Sequence, residues 1–414
     1  MATRQHRVDV CIVGGGPAGL LLGLLLAKQG IRTLVLEQHQ DFEREYRGEV
    51  LMPRFAQLFS RLGLLDYIES FPHSKLKQVE IFSQDEALAR LSLSEIYPPH
   101  PYALWMPQPI FLDALRQKAE TFPAFELWFG ATAEALIQEN DVTLGVQARH
   151  GEELVEISAR VTVGADGRTS RLHRLGGFED AYRSYDFDVI WFSIPQPENY
   201  TATTQFYFRD NRRAYLLLPK YPKFIQCGFM TAPGEFAQLR KQGVSAMQNL
   251  LLQGPKAIHA FARELSDFKP FHPLQARISF TRQWAKNGLL LVGDAAHTCS
   301  PAGAIGVSIA LETAAVAADV IADALAQGDV SERALSQVQA IRQSEIQTVQ
   351  RLQQNVTRFM FREANWLMRI LPRLAKWAFR LGLAQRFPRR LLVNHSPLPL
   401  SERLIFKPNP QNNT

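Results

Sequence analysis

Within its first forty residues the chain places four glycines, among them Gly14, Gly16 and Gly19, between a β-branched run and a leucine-rich one. Val8 to Val13 reads as a short strand, Leu20 to Gln29 as a helix with Gly30 where a C-cap sits, and Arg32 to Glu37 as a second strand. Such a strand, helix, strand unit requires a parallel sheet, because parallel neighbours can be joined only by a crossover. The stretch from Val10 to Ala27 is uncharged, but Gly14, Gly15, Gly16 and Pro17 would break a membrane-spanning helix near its start. No small-residue cleavage site follows the basic residues Arg4 and Arg7, so a secretion signal is not expected.

The G-x-G-x-x-G spacing gives each glycine a separate role. The first makes the tight turn, the second lets main chain approach a pyrophosphate, and the third lets the helix pack on the strand. The helix start adds N–H donors and partial positive charge. Glu37, at the end of the second strand, can accept hydrogen bonds from a ribose diol and repels a 2′-phosphate. A dinucleotide is therefore expected here, either FAD or NAD.

A second glycine constellation decides between them. Gly288 to Val292 reads as a buried strand, Gly293-Asp294-Ala295-Ala296-His297 follows, and Ser300-Pro301-Ala302-Gly303-Ala304-Ile305-Gly306 opens a helix running to about Ala326. Small residues let a flat, bulky ligand lie against backbone. The amides of Gly303 to Val307 can donate to a pyrimidine edge that gains negative charge on reduction. An Asp just after a buried strand can bind a polyol chain, which nicotinamide cofactors lack, so a flavin fits better. His297 reads as a hydrogen-bonded residue ordering a loop rather than as a base, since no partner constellation surrounds it.

Elsewhere, Arg54 to Leu65 and Gln108 to Phe122 read as helices, and Val79 to Ser83 and Ala89 to Leu93 as short strands. Val155 to Gly164 is a strand entering the loop Ala165-Asp166-Gly167, where Asp166 is placed to cap a helix around Ser170. Aromatic-rich strands between Asp188 and Met230 read as an antiparallel sheet.

With these residues in view, the chain resembles the flavoprotein aromatic hydroxylases of the p-hydroxybenzoate hydroxylase type, including the ubiquinone-biosynthesis hydroxylases. Three motifs stand in the family's order: GGGPAG at Gly14 to Gly19, GADGRTSRLHR at Gly164 to Arg174, and GDAAHTCSPAGAIG at Gly293 to Gly306. The resemblance spans about residues 7 to 325. It implies an α/β fold in which a Rossmann-like FAD-binding domain (1–76, 104–176 and 280–325) is interleaved with an antiparallel-sheet substrate domain (77–103 and 177–279), followed by a helical C-terminal region (326–414).

The resemblance also implies roles. Arg47 matches an arginine near the FAD pyrophosphate, Gln108 an FAD-contacting glutamine, and Asp294 the acid at the ribityl chain. Pro301 matches the residue lining the oxygen-reacting face of the flavin, with Gly303 and Gly306 beside it. Asp166 belongs to a motif linked to FAD architecture and NAD(P)H use. The chain departs from the family at Ser308, where members often carry Asn. The implied reaction is an NAD(P)H-consuming, O2-dependent hydroxylation of an aromatic or lipophilic substrate through a flavin C4a-hydroperoxide. No side chain is assigned as acid or base, and no metal is expected. Trp191, Phe206, Tyr207, Phe208, Tyr215 and Phe229 are candidate substrate contacts. A halogenase is the weaker alternative, since Val189 to Pro195 has Ile190 and Phe192 where the W-x-W-x-I-P signature has tryptophans. A prenyl reductase and a flavoprotein assembly subunit are the others.

Charge is uneven. From Arg351 to Arg390 there are ten basic residues and one acid, Glu363, whereas the remainder holds 36 basic and 39 acidic residues, so nucleic acid is not an expected partner. Apolar residues including Phe359, Trp366, Ile370 and Trp377 recur there at helical spacing opposite the arginines, and Pro372 breaks the run. That pattern fits an anionic membrane surface; a homodimer contact or the protein's own core are the alternatives. Cys11, Cys227 and Cys299 lack disulfide or zinc spacing, consistent with a reducing, cytoplasmic setting.

Overall fold

The computed structural model describes residues 4–43, 49–96, 99–198, 200, 203–209, 213–301, 303–361 and 398–407. Its first sheet is built on β1 (Arg4–Val13), β2 (Thr33–Glu37), β3 (Phe125–Phe129) and β4 (Glu153–Gly164). With the strand Leu289–Leu291 outside β4, the order is Leu289–Leu291, β4, β1, β2, β3, and every one of these neighbours pairs in parallel. A hairpin of Ala131–Glu139 and Val142–His150 extends β4 on its antiparallel side. Helix α1 (Pro17–Ala27) makes the crossover from β1 to β2 and is buried from Ala18 to Ala27. A helix apolar on all sides belongs inside a layered core, and α1 is covered there by α3 (Gln108–Ala119) and α5 (Gly306–Gln327).

The helix expected over 54–65 is shorter. It is α2 (Pro53–Leu62), stopped by Gly63 at φ +70°. A Cβ at Gly63 would lie 2.1 Å from the Phe406 carbonyl oxygen, so the stop is shaped by residues far along the chain. A short α4 (Arg171–Leu175) follows β4. In the C-terminal region a short helical turn, Glu332–Leu335, leads into α6 (Gln337–Phe361), which packs on α5. Residues 398–407 lie as a strap across α2 and α5: Phe406 N–H donates to Leu62 O at 2.8 Å, Arg61 Nη2 to Leu398 O at 2.7 Å, and Arg403 Nε to Asp319 Oδ1 at 2.8 Å. The basic segment expected to be amphipathic lies, from residue 362 to 397, outside the described residues.

The second sheet holds β5 (Asp180–Pro195) and β6 (His272–Thr281). Across it the order is His297–Thr298, β6, β5, Phe224–Thr231, Ala214–Lys220, Thr204–Phe208, Gln78–Ser83 and Glu86–Ser92. All pairs are antiparallel except Thr204–Phe208 with Gln78–Ser83, which is parallel and joins the edge hairpin to the rest of the sheet. Alternation gives the sheet two different faces. Ile190, Phe192, Tyr215, Leu217, Cys227 and Phe229 form a separate core with Phe236, Met247, Leu251 and Ala262. The opposite face carries the cross-strand row Phe206, Leu216, Gly228 and Trp191, and turns toward the first domain, where Trp105 Nε1 donates to Gln226 Oε1 at 3.4 Å.

Candidate functional site

The three glycine-rich stretches, far apart in sequence, meet at one place. At the first, Gly14 has φ +113°, and a Cβ there would lie 2.5 Å from Ala165 O and 2.8 Å from Asp166 Cα, so the first turn rests on the second motif. At the third, a Cβ on Gly293 would lie 3.2 Å from the Cβ of Ala18 in α1 and 3.3 Å from that of Ala310 in α5. Arg168 Nε reaches Asp294 Oδ2 at 3.2 Å and ties the second motif to the third. The main chain locks the same junction, with Ala165 N–H on Val13 O at 2.8 Å and Val292 N–H on Gly164 O at 2.9 Å.

Around this junction the glycines divide into two kinds. Gly19 is a packing glycine, since a Cβ would come within 1.9 Å of Gly14 O. Gly16 and Gly303 face open space, with no heavy atom within 4 Å of a Cβ built on either. Gly16 is the N-cap of α1, Ile305 that of α5, and neither helix start has a side-chain cap. Two uncapped helix starts beside glycines that open outward form a cradle of free donors, the arrangement a pyrophosphate and an electron-rich ring edge require. Ser308, in the first turn of α5, is fully buried, and its Oγ lacks a hydrogen-bond partner among the described residues. These residues fit a flavin dinucleotide.

Glu37 is buried beneath the first turn. Its Oε2 accepts the Gly15 N–H at 2.9 Å and its Oε1 the His39 N–H at 3.0 Å. Its Oε1 also pairs with the His39 ring, with Nδ1 at 2.5 Å, so the carboxylate is held from both sides. Asp166 acts locally, its carboxylate accepting from Ser170 Oγ at 2.5 Å, Arg171 N at 2.6 Å and Leu172 N at 3.1 Å and so capping α4. Gln108 begins α3, and its main-chain N–H acts to lower the pKa of the Glu49 carboxylate. Asp294 and Gly306 stand at the junction, at the start of a 3-10 turn and of α5. Pro301 leads from it toward Gly303. Arg47 lies outside the described residues.

His297 is no base. It is 1% exposed, its Nε2 lies 3.0 Å from Thr313 Oγ1, and its pKa is lowered to about 3, by burial first and then by the charge of Arg342. Of the aromatic candidates, Tyr215 and Phe229 belong to the second core and Tyr207 packs against it, whereas Trp191 and Phe206 lie on the opposite face, in the row with Leu216 and Gly228. The Trp191 ring lies across Gly228, where a Cβ would come within 2.7 Å of it.

Glu49 is a residue that sequence reading passed over. It is 8% exposed beside Trp105, with Lys220 Nζ at 3.9 Å, and its Oε2 has no hydrogen-bond donor among the described residues. Burial raises its pKa, against the opposing effects of Lys220 and the Gln108 amide. Its only sequence signal was a position two residues after Arg47.

Residues 7–353 match the family described as FAD binding domain. The chain is 29% identical over 404 residues to 6-methylpretetramide 4-monooxygenase of Streptomyces rimosus, covering 97% of this chain and 96% of that one. It is 26% identical to digeranylgeranylglycerophospholipid reductase of Methanocella arvoryzae, over 81% of this chain and 83% of the reductase. Among solved structures, p-nitrophenol 4-monooxygenase PnpA from Pseudomonas putida DLL-E4 superposes with a TM-score of 0.77 at 18% identity, covering 94% of this chain and all of that one, a likeness of fold.

Proposed function

The chain belongs to the FAD binding domain family and is a flavoprotein monooxygenase, and from that premise we propose that it hydroxylates an electron-rich aromatic or lipophilic substrate at the expense of NAD(P)H and O2. The observation that carries this reading is the meeting of three glycine-rich motifs at one junction, with Gly293 against Ala18 and Arg168 on Asp294. When bound, FAD would supply the redox chemistry, passing the two electrons of NAD(P)H to O2, so that one oxygen atom would go to substrate and the other to water.

The protein's own part is positioning. Gly16 with the start of α1 receives the pyrophosphate, Gly14 and Gly19 hold the turn and seat the helix that present it, and Glu37 receives ribose hydroxyls. Arg47 and Gln108 flank the cofactor, Asp294 holds the ribityl chain, and Asp166 keeps the α4 turn in place beneath it. Pro301, Gly303 and Gly306 line the flavin face, where the α5 amides stabilise charge developing at the ring edge. Trp191 and Phe206 supply an apolar wall on the substrate side, which excludes water from the reacting centre. The flavin domain comprises 1–76, 104–176 and 280–325, and the substrate domain 77–103 and 177–279.

The test is direct. The purified protein is expected to be yellow, its NAD(P)H consumption to rise with a phenolic substrate, and one atom from labelled O2 to enter the product. A colourless protein that cannot be reconstituted would sink the flavin assignment. A second reading, reduction of a prenyl chain, has the similarity to the archaeal reductase in its favour; a reduced, unlabelled product would select it.

Among the described residues no helix is long and apolar enough to cross a membrane. We assign the basic segment 362–397 to peripheral contact with an anionic lipid surface, which suits a lipophilic substrate. Changing Arg369, Arg373, Lys376 and Arg380 together to Gln should abolish sedimentation with anionic vesicles, at about 1 kcal/mol per charge. Unchanged sedimentation, or a dimer that carries the segment in its interface, would remove the assignment.

A further inference from the structure

Helix α6 turns toward the body a face that is buried yet only partly apolar. Val338, Arg342, Ile346, Val349, Gln350 and Gln353 lie on it, none more than 3% exposed. A helix needed only to cover a core would carry aliphatic residues at all these positions, because a buried amide is costly unless its donors and acceptor are used. Here they are used on main chain. Gln353 Oε1 accepts the Ser300 N–H at 3.1 Å while its Nε2 donates to Ser300 O at 3.0 Å. Gln350 Nε2 donates to Thr298 O at 2.8 Å and to Ser279 O at 2.9 Å, and its Oε1 accepts the Tyr182 hydroxyl.

The two glutamines thus grip the chain on either side of Cys299. Ser279 lies on β6 and Tyr182 on β5, so Gln350 joins this segment to two adjacent strands of the second sheet. The gripped residues lead straight into Pro301 and Gly303. Beyond them Ala304 holds φ +50°, a left-handed conformation that a non-glycine residue keeps only when its surroundings impose it. A primary amide suits this role, since its coplanar C=O and NH2 mirror the N–H and C=O of a peptide unit.

We propose that Gln350 and Gln353 are positioning residues for the flavin-facing loop: acting from outside the glycine motifs, they set where the chain after Ser300 stands relative to the substrate sheet. The proposal rests on the flavin reading above. It separates holding the loop from holding the cofactor, which the glycines and helix starts do.

The test uses the holoenzyme and four variants: Gln353→Leu, Gln350→Leu, Gln353→Glu, which keeps only the acceptor, and Val349→Ala, which loosens the same helix face without touching loop main chain. The readouts are amide exchange over residues 298–306, the visible spectrum and dissociation constant of FAD, and product formed per NAD(P)H consumed. Both leucine variants are expected to accelerate loop exchange about tenfold, as one or two lost hydrogen bonds allow. They should also shift the flavin band and lower product per NAD(P)H, and Gln353→Glu should do so at least as strongly, because its second carboxylate oxygen faces the Ser300 carbonyl. Val349→Ala should lower the melting temperature and leave all three readouts unchanged. Wild-type exchange, spectrum and coupling in the leucine variants would overturn the proposal, as would equal effects from Val349→Ala. If neither leucine variant folds, Gln353→Asn, which keeps the amide but shortens its reach to Ser300, decides by the same criteria. A wild-type protein without FAD defeats the flavin reading, while loop exchange still reports on the glutamines.

Discussion

Alanine at Gly19 and alanine at Gly16 should disable the protein in opposite ways. At Gly19 the new methyl would lie 1.9 Å from the Gly14 carbonyl oxygen, a backbone atom in a turn that is itself held at φ +113°. Neither side can yield without moving α1 off β1, so the loss belongs to the rare class above about 4 kcal/mol, and little folded protein is expected. Gly16 is different. Its φ of −77° suits any residue, and a methyl there meets nothing within 4 Å. The apoprotein should melt within about 0.5 kcal/mol of the parent. FAD affinity should nevertheless fall roughly 10- to 100-fold, because in the proposed binding mode the methyl fills space the pyrophosphate needs and overpacking costs about 1–3 kcal/mol. Thermal melts with and without FAD, beside a fluorescence titration, separate the two effects. Parental affinity in Gly16→Ala would place the pyrophosphate elsewhere.

Glu312→Gln should cost about 3–5 kcal/mol, although the shape of the side chain is kept. Glu312 is 1% exposed and accepts from Arg54 Nε at 3.1 Å, Arg54 Nη2 at 2.6 Å and Arg342 Nη2 at 2.6 Å. Glu345 bridges the same two arginines, each also 1% exposed, so that α2, α5 and α6 are joined by one buried cluster of charges. Removing one carboxylate leaves two desolvated guanidinium groups to share the other, and an uncompensated buried charge costs more than the original pair contributed. Burial alone would raise the Glu312 pKa, but the charges and hydrogen bonds of Arg54 and Arg342 more than reverse this and hold it below the ordinary carboxylate range. A folded value below the unfolded one gives stability that is complete above the unfolded pKa, near ~4.3, and is lost as pH falls through the depressed value. Urea midpoints at neutral and acid pH should show that part of the acid slope missing in Glu312→Gln. Equal slopes would mean the cluster is not held in this charge state.

What could be read from sequence follows from how local each determinant is. The β1, α1, β2 unit declared itself because its periodicity and glycine spacing lie within about thirty residues. Asp166 as a cap was legible for the same reason, with Ser170 four residues away. Glu312 gave no signal, since its partners Arg54 and Arg342 stand on other helices and an isolated Glu in an alanine-rich helix reads as exposed. Gln350 and Gln353 were hidden likewise: apolar periodicity marks a buried face only when that face is apolar, and α6 buries amides. The end of α2 was misplaced because Gly63 answers to Phe406, a contact no local window contains. Tyr215 and Phe229 looked like substrate contacts because alternation shows that a strand has two faces without showing which face meets the cofactor.

The strap formed by residues 398–407 has a consequence for biosynthesis. Arg61 bonds Leu398 across 337 positions, and Arg403 reaches back 84 positions to Asp319. At roughly 5–20 residues per second a ribosome needs on the order of 20–70 s to deliver the first of these partners. The C-terminal end of α2 therefore emerges uncovered for that interval, and the acidic flank of α5, 84 positions ahead of Arg403, for roughly 4–17 s, so the strap closes over both elements only after they have been made.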